Sequence, residues 1–277
     1  MKRIHLFEFE DQKWFPSFLR NYVTDFLQFL ANKAKVYEPV VDEITQLIEK
    51  SNTSHIIDLG SGSGGGLLWL GNALYEKNKD TKITLTDLYP NIASFRHVTK
   101  SSPVFTYYDQ PVDATAVPGD LKGIRTMFLS FHHLQPDGAL EVLQNAVDMQ
   151  QPVAIFEIQD RSLPSFLAMI LSPVSVLVCT PFIKPFRFGR LLFTYLIPVV
   201  PLIVLWDGLV SCLRTYSVAE MKTLVGQTKK KSNIVGNLSK RNPKRVLLFI
   251  PSEFPKIKMI FNKKKPRCSQ RGFGFEH

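Results

Sequence analysis

The stretch Ile56-Ile57-Asp58-Leu59-Gly60-Ser61-Gly62-Ser63-Gly64 runs an apolar segment into an acid and then into glycines at alternate positions. Glycine carries no Cβ, so a turn built this way lets bare backbone approach a ligand closely. Free N–H groups at the start of a following helix favour a negative group nearby. The same residues satisfy G-x-G-x-x-G through Gly60, Gly62 and Gly65, with Asp87 at a distance that could hold a ribose. That spacing would suit a dinucleotide. Asp58 argues against one, because a carboxylate at the strand end repels a pyrophosphate and welcomes an amino group. Asp87 and Asp113 add two acids near the ends of the next apolar segments. Three carboxylates suit a cationic ligand with a ribose and an exocyclic amine better than a polyphosphate.

A second group of candidates follows the later segments. Ser130-Phe131-His132-His133 ends the fourth apolar run, and histidine is a frequent general base, which makes His133 and His132 the candidate catalytic residues. Polar groups satisfied at a strand end are the plainer reading of both. Glu157 and Asp160 close the fifth run and could line a substrate pocket or cap a loop. Trp14, Phe15 and Pro16 could form a lid; anchoring the first helix is the simpler role. No metal site is expected from cysteine. Cys179, Cys212 and Cys268 are odd in number and widely spaced, with no C-x-x-C, which also fits a reducing compartment. Lys2, Arg3, Glu8, Glu10 and Asp11 stand where a signal peptide needs an apolar run, so a cytoplasmic location is expected.

The elements that must position these residues can be read from periodicity. Phe18, Leu19, Tyr22, Val23, Phe26, Leu27 and Leu30 recur at helical spacing after Pro16, and a second helix follows Pro39. Strands are predicted at 54–59, 82–86, 104–108, 124–130 and 153–158. Helices are predicted at 67–76, from Pro90 to about Thr99, and after Asp137 as a cap. Strands alternating with helices predict a doubly wound, mostly parallel sheet. The pattern breaks at 161–212. Residues 162–183 are 22 uncharged residues and 191–206 are 16 more, each run interrupted by prolines. This apolar insertion is expected to pack on the domain or to meet a membrane, since freed backbone groups in lipid need partners. Ser217 and Glu220 form a capping-box pattern. Residues 229–277 hold 14 Lys and Arg against Glu253 and Glu276, so the tail supplies the chain's net charge of +10. Such a tail could meet nucleic acid or anionic lipid; a solvated end is the simpler reading. Nothing else points to nucleic acid.

From about Thr53 to Asp160 the chain resembles the class I S-adenosylmethionine-dependent methyltransferases. Asp58-Leu59-Gly60-Ser61-Gly62-Ser63-Gly64 resembles their first motif, which passes the methionine part of the cofactor. Asp87, followed by Leu88, matches the acid that binds the ribose hydroxyls, and Asp113-Ala114 resembles the acidic position near the adenine amine. The resemblance implies a Rossmann-like fold with a cofactor-binding core (53–160) after an N-terminal helical segment (1–52); the insertion (161–212) departs from the family's order, and a C-terminal part (213–277) follows it. The resemblance also implies S-adenosylmethionine as cofactor and methyl transfer; the apolar insertion suggests a small-molecule or lipid-like acceptor, at or near a membrane surface. A nicotinamide-dependent oxidoreductase and a non-catalytic, membrane-associated cofactor-binding module remain the alternatives. The family also has a terminal antiparallel strand pair. Here only 246–250 reads as a convincing strand, which puts that sheet edge in doubt.

Overall fold

Short apolar runs between helical repeats build one seven-stranded sheet. The computed structural model describes residues 1–229 and the backbone of 232–237 and 245–251. Strands β1 (His55–Leu59), β2 (Lys82–Thr86), β3 (Phe105–Tyr107), β4 (Ile124–Phe128) and β5 (Val153–Glu157) pair in parallel, in the order 3-2-1-4-5. β6 (Ser232–Asn237) and β7 (Arg245–Pro251) complete the sheet as an antiparallel pair, with β7 against β5. The doubt about this edge is therefore corrected. Ladders are made by main-chain groups, so a basic composition does not forbid them. The complete order, 3-2-1-4-5-7-6, departs from the 3-2-1-4-5-6 order of dinucleotide-binding sheets.

Both faces of the sheet are covered, which is why its strands are apolar on both sides. Ile56, Ile83, Leu85 and Phe105 pack under α2 (Val41–Ser51), α3 (Leu68–Lys77) and α4 (Ile92–Ser101). Ile57, Leu59, Met127 and Ile155 face the opposite way, onto α5 (Pro136–Asp148) and α10 (Val218–Gly226). Neighbours in β1 thus alternate between two cores, the period of two that a strand imposes. The Ser217–Glu220 capping box forms as its spacing predicts. Asp137 is a correction: Gln135 occupies the cap of α5, Pro136 its first turn, and Asp137 supplies a first-turn acid.

The N-terminal helix and the insertion share a third core. α1 (Ser17–Lys33) contributes Leu19, Val23 and Phe26. They meet Val176 of α7 (Ser172–Cys179) and Val200, Ile203 and Val204 of α9 (Val199–Arg214). Between these helices lie α6 (Leu163–Ile170) and the short α8 (Phe188–Leu191). Three of the insertion's prolines stand where helices begin: Pro164 and Pro173 lie in the first turns of α6 and α7, and Pro198 caps α9. That is where a missing N–H costs least, so the apolar runs become several short helices. Close approach to α1 depends on Gly189, whose Cβ would lie 2.3 Å from the Tyr22 hydroxyl oxygen.

Candidate functional site

The glycine turn leaves β1 at the carboxyl rim of the sheet. Gly60, Gly62 and Gly64 have φ of +70°, +59° and +73°, a conformation that residues with a Cβ rarely adopt. Gly65 is not among the positive-φ residues, so alternation, rather than G-x-G-x-x-G, describes how the turn works. Their surroundings differ. A Cβ on Gly64 would lie 2.5 Å from Leu85 Cδ1 and one on Gly60 3.2 Å from Ser130, whereas one on Gly62 meets nothing within 4 Å. Gly62 is exposed, and the space where a side chain would stand is open.

The predicted carboxylates occupy three different settings. Asp58 is buried, and its Oδ2 and Oδ1 accept from the hydroxyls of Ser61 and Thr126 at 2.6 and 2.8 Å. Burial pushes this carboxyl up to about 7, against the help of those hydroxyls. Ser61 is tied down as well, because its Oγ accepts from the Thr86 N–H and its own N–H donates to the Thr86 carbonyl. Asp58 and Ser61 therefore fasten the turn to β2 and β4, a correction to the reading of Asp58 as a rim acid. Asp87 does stand at the rim. Its Oδ2 accepts from the Gly62 N–H at 2.8 Å and its Oδ1 from the Tyr89 N–H at 2.8 Å. Leu88 beside it is 44% exposed. The Val112 N–H donates to the Asp87 carbonyl, which brings Asp113 to the same end of the sheet. Asp113 is exposed and accepts from the N–H and hydroxyl of Thr115, while Ala114 packs partly against the α5-side core.

Periodicity alone did not reveal a neighbouring cavity of about 150 Å³. Asn21, Thr24, Asp25 and Gln28 of α1, Ser63 of the turn and Arg187 of the insertion line it, with the start of α4. A cavity of this size can hold a group about as large as a benzene ring. Arg187 and Arg190 approach Asp25 at 3.5 and 2.5 Å, yet burial still leaves the Asp25 carboxyl raised. The polar residues of α1 are legible as the face left over by its apolar stripe. Nothing in the sequence says that this face would meet Ser63.

The histidines lie under an N-terminal strap. Arg3 donates to the carbonyls of His132 and Leu134, and Asp207 of α9 accepts from the N–H groups of Phe9 and Glu10. His132 is 2% exposed; its Nδ1 is 2.9 Å from Glu157 Oε2, and its N–H donates to Glu157 Oε1 at 3.0 Å. Glu8 Oε1 stands 3.9 Å from His132 Nε2. His133 Nδ1 is 2.8 Å from Asp11 Oδ1. Burial pulls His133 down, but Asp11 and Glu8 outweigh it and hold the ring up to about 9. The ion pair with Asp11 favours the protonated ring and so opposes a role for His133 as a base. Ligand atoms of Glu8, His132 and His133 lie within 4.8 Å of one another, close enough for an ion. Arg214 already places its guanidinium 3.3 Å from Glu8 and 2.6 Å from Asp11, so the cluster carries its own cation.

Glu157, read as a pocket candidate, holds His132 and is buried. Asp160 accepts from the Ser162 N–H and the Ser165 hydroxyl and so ties down the loop that leads into α6. Phe15 is buried against the third core, an anchor for α1, while Trp14 remains 68% exposed.

No family model and no curated protein matches this sequence. Solved structures match it in fold. An O-methyltransferase family protein from Burkholderia thailandensis superposes with a TM-score of 0.50 at 11% identity, over 84% of this chain and 62% of that one. PigF, solved with SAH, gives a TM-score of 0.48 at 16% identity, over 87% and 62%. The mitomycin 7-O-methyltransferase MmcR gives 0.45 at 13% identity, over 82% and 60%. This chain spans less than two thirds of the length of these proteins. At such identity the likeness to the Burkholderia protein shows a shared α/β fold, Rossmann-like and doubly wound.

Proposed function

We propose that the chain binds S-adenosylmethionine at the rim formed by Gly60–Gly64 and Asp87 and transfers its methyl group to a lipophilic acceptor. One observation carries the reading. A left-handed glycine with open space at its Cβ position stands 2.8 Å, N–H to carboxylate, from an acid at the end of the adjacent strand. Bare backbone and a ribose-reaching carboxylate are what a nucleoside with a charged amino-acid arm requires.

When bound, the cofactor supplies a methyl group made electrophilic by a sulfonium. The chain's own residues then bind and orient. The backbone of Gly60, Ser61, Gly62 and Gly64 passes the amino-acid arm, Asp87 accepts from the ribose hydroxyls, and Leu88, Asp113 and Ala114 border the base. The polar cavity beside Ser63 suits the zwitterionic end of the arm, with Arg187 for a carboxylate and Asp25 for an ammonium. Holding the acceptor in line behind the methyl is the principal catalytic task. A base is needed only where the acceptor must lose a proton. The ion pair of His133 with Asp11 opposes that role. His132, oriented by Glu157, has the appropriate chemistry and lies behind the strap.

Calorimetric titration with S-adenosylmethionine and, separately, with NADH tests the reading. Binding of the first, weakened at least tenfold by Gly62→Val and by Asp87→Ala while both variants remain folded by circular dichroism, is expected. Tight NADH binding without S-adenosylmethionine binding would transfer the site to a nicotinamide oxidoreductase. Cofactor binding without label transfer from methyl-labelled cofactor into lipid or aqueous cell fractions would leave a non-catalytic binding module.

A further inference from the structure

The insertion presents an outer face that the fold does not cover. Among the described residues, fifteen of the twenty-four exposed large hydrophobic side chains lie between Leu163 and Trp206. α6 contains no buried residue. Leu171, Phe182, Phe186, Phe188 and Leu196 are each more than 60% exposed. A monomeric soluble surface rarely carries a contiguous apolar patch of this kind without a partner.

Charge identifies the partner. From Arg161 to Trp206 the sequence contains no Asp or Glu, and its cations are Arg161, Lys184, Arg187 and Arg190. Arg190 is buried against Asp25, whereas Lys184, two residues before Phe186, and Arg187, between Phe186 and Phe188 and 3.5 Å from Asp25, are exposed. Aromatic rings that alternate with cations suit an interface whose headgroups are negative and whose next layer is hydrocarbon. A two-fold contact between copies would instead set the same cations against themselves. Among the described residues no single helix is long and apolar enough to cross a membrane. Two pairs pass by length and composition only as broken units, bent by 41° and 76°. Bends of this size suit helices that lie on a bilayer.

We propose that α6, α7 and the Lys184–Phe188 loop form a docking surface for a bilayer containing anionic lipid, with Phe186 and Phe188 inserted below the headgroups. Arg187 borders both this surface and the cavity beside Ser63, so the bilayer would lie next to the candidate site. The proposal stands on the exposed face and does not depend on methyl transfer.

Flotation of the full chain with phosphatidylcholine vesicles, plain or containing phosphatidylserine, tests it. The protein is expected to float with the mixed vesicles and more weakly with the plain ones. The double variant Phe186→Ser/Phe188→Ser leaves the basic tail intact and alters only exposed rings, so its melting temperature should be kept. Its partition should fall at least ~tenfold, as the loss of two buried aromatic side chains requires. A second pair on α6, Leu163→Ser/Leu167→Ser, should lower it independently. Three results would overturn the proposal. Flotation of the unaltered chain that is lost in both variants supports it; it fails if the unaltered chain stays in the aqueous fraction, if both variants float like the unaltered chain, or if sedimentation shows a dimer that these variants dissociate.

Discussion

Gly62 and Gly64 have the same left-handed backbone and different neighbours, and this separates binding from stability at single residues. Alanine at Gly62 meets only the conformational cost, about 1 kcal/mol. Alanine at Gly64 adds a collision with Leu85 Cδ1 at 2.5 Å and should cost about 3 kcal/mol in all. Chemical denaturation of the two variants checks this, and equal losses would refute the assigned surroundings. The alternation of glycines was legible in the sequence, because a Cβ-free turn after an apolar strand has few other uses. The task of Asp58 was not. Its spacing from the glycines could not reveal that Ser61 and Thr126 would engage both carboxylate oxygens.

The element that sequence patterning failed to show is the strap of residues before α1. It has no helical or strand period, and it is held by groups distant in sequence: Asp207 accepts from Phe9 and Glu10, Arg214 donates to the Leu6 carbonyl, and the Trp206 indole donates to the Phe7 carbonyl. All three anchors belong to α9, which the sequence presents as the end of an apolar insertion. Asp207→Ala removes the acceptors of two backbone N–H groups. In hydrogen exchange, the amides of Phe9 and Glu10 should lose protection by at least ~tenfold, while those of β1 and β4 stay protected. Unchanged exchange at Phe9 and Glu10 would show that the strap is held elsewhere. The helices and parallel strands, by contrast, were readable because each repeats its apolar residues with its own period.

Over the whole molecule, buried acids and one paired histidine make stability depend on pH in a defined direction. Burial raises Asp58 and Glu10 to about 7 and Asp207 to about 6. Each contributes stability that is present below its unfolded value near 4 and is lost as pH rises through 6 to 7. His133, held up to about 9, contributes stability that is present below 6.5 and is lost as pH rises through 9. Asp11 acts in the opposite sense: burial raises it, but His133 and Arg214 win and lower it, so its contribution disappears as pH falls below its unfolded value. The melting temperature should therefore peak at or below about pH 4 and decline from there to pH 9. A profile that is flat or rising across that interval would contradict these burial effects.

The sequence by itself determined the alternating core, the glycine turn and the acid at the end of β2, because each follows from local rules of period, steric freedom and strand-end position. Only the tertiary structure decided which acids remain at the rim, which histidine is paired, and that α1 and the insertion close one core beside the site. These outcomes depend on burial and on partners far apart in the chain, and a linear pattern carries no information about which buried polar group will meet which. The edge pair β6–β7 belongs to the same class, since main-chain hydrogen bonds supply its ladder and no side-chain pattern need announce it.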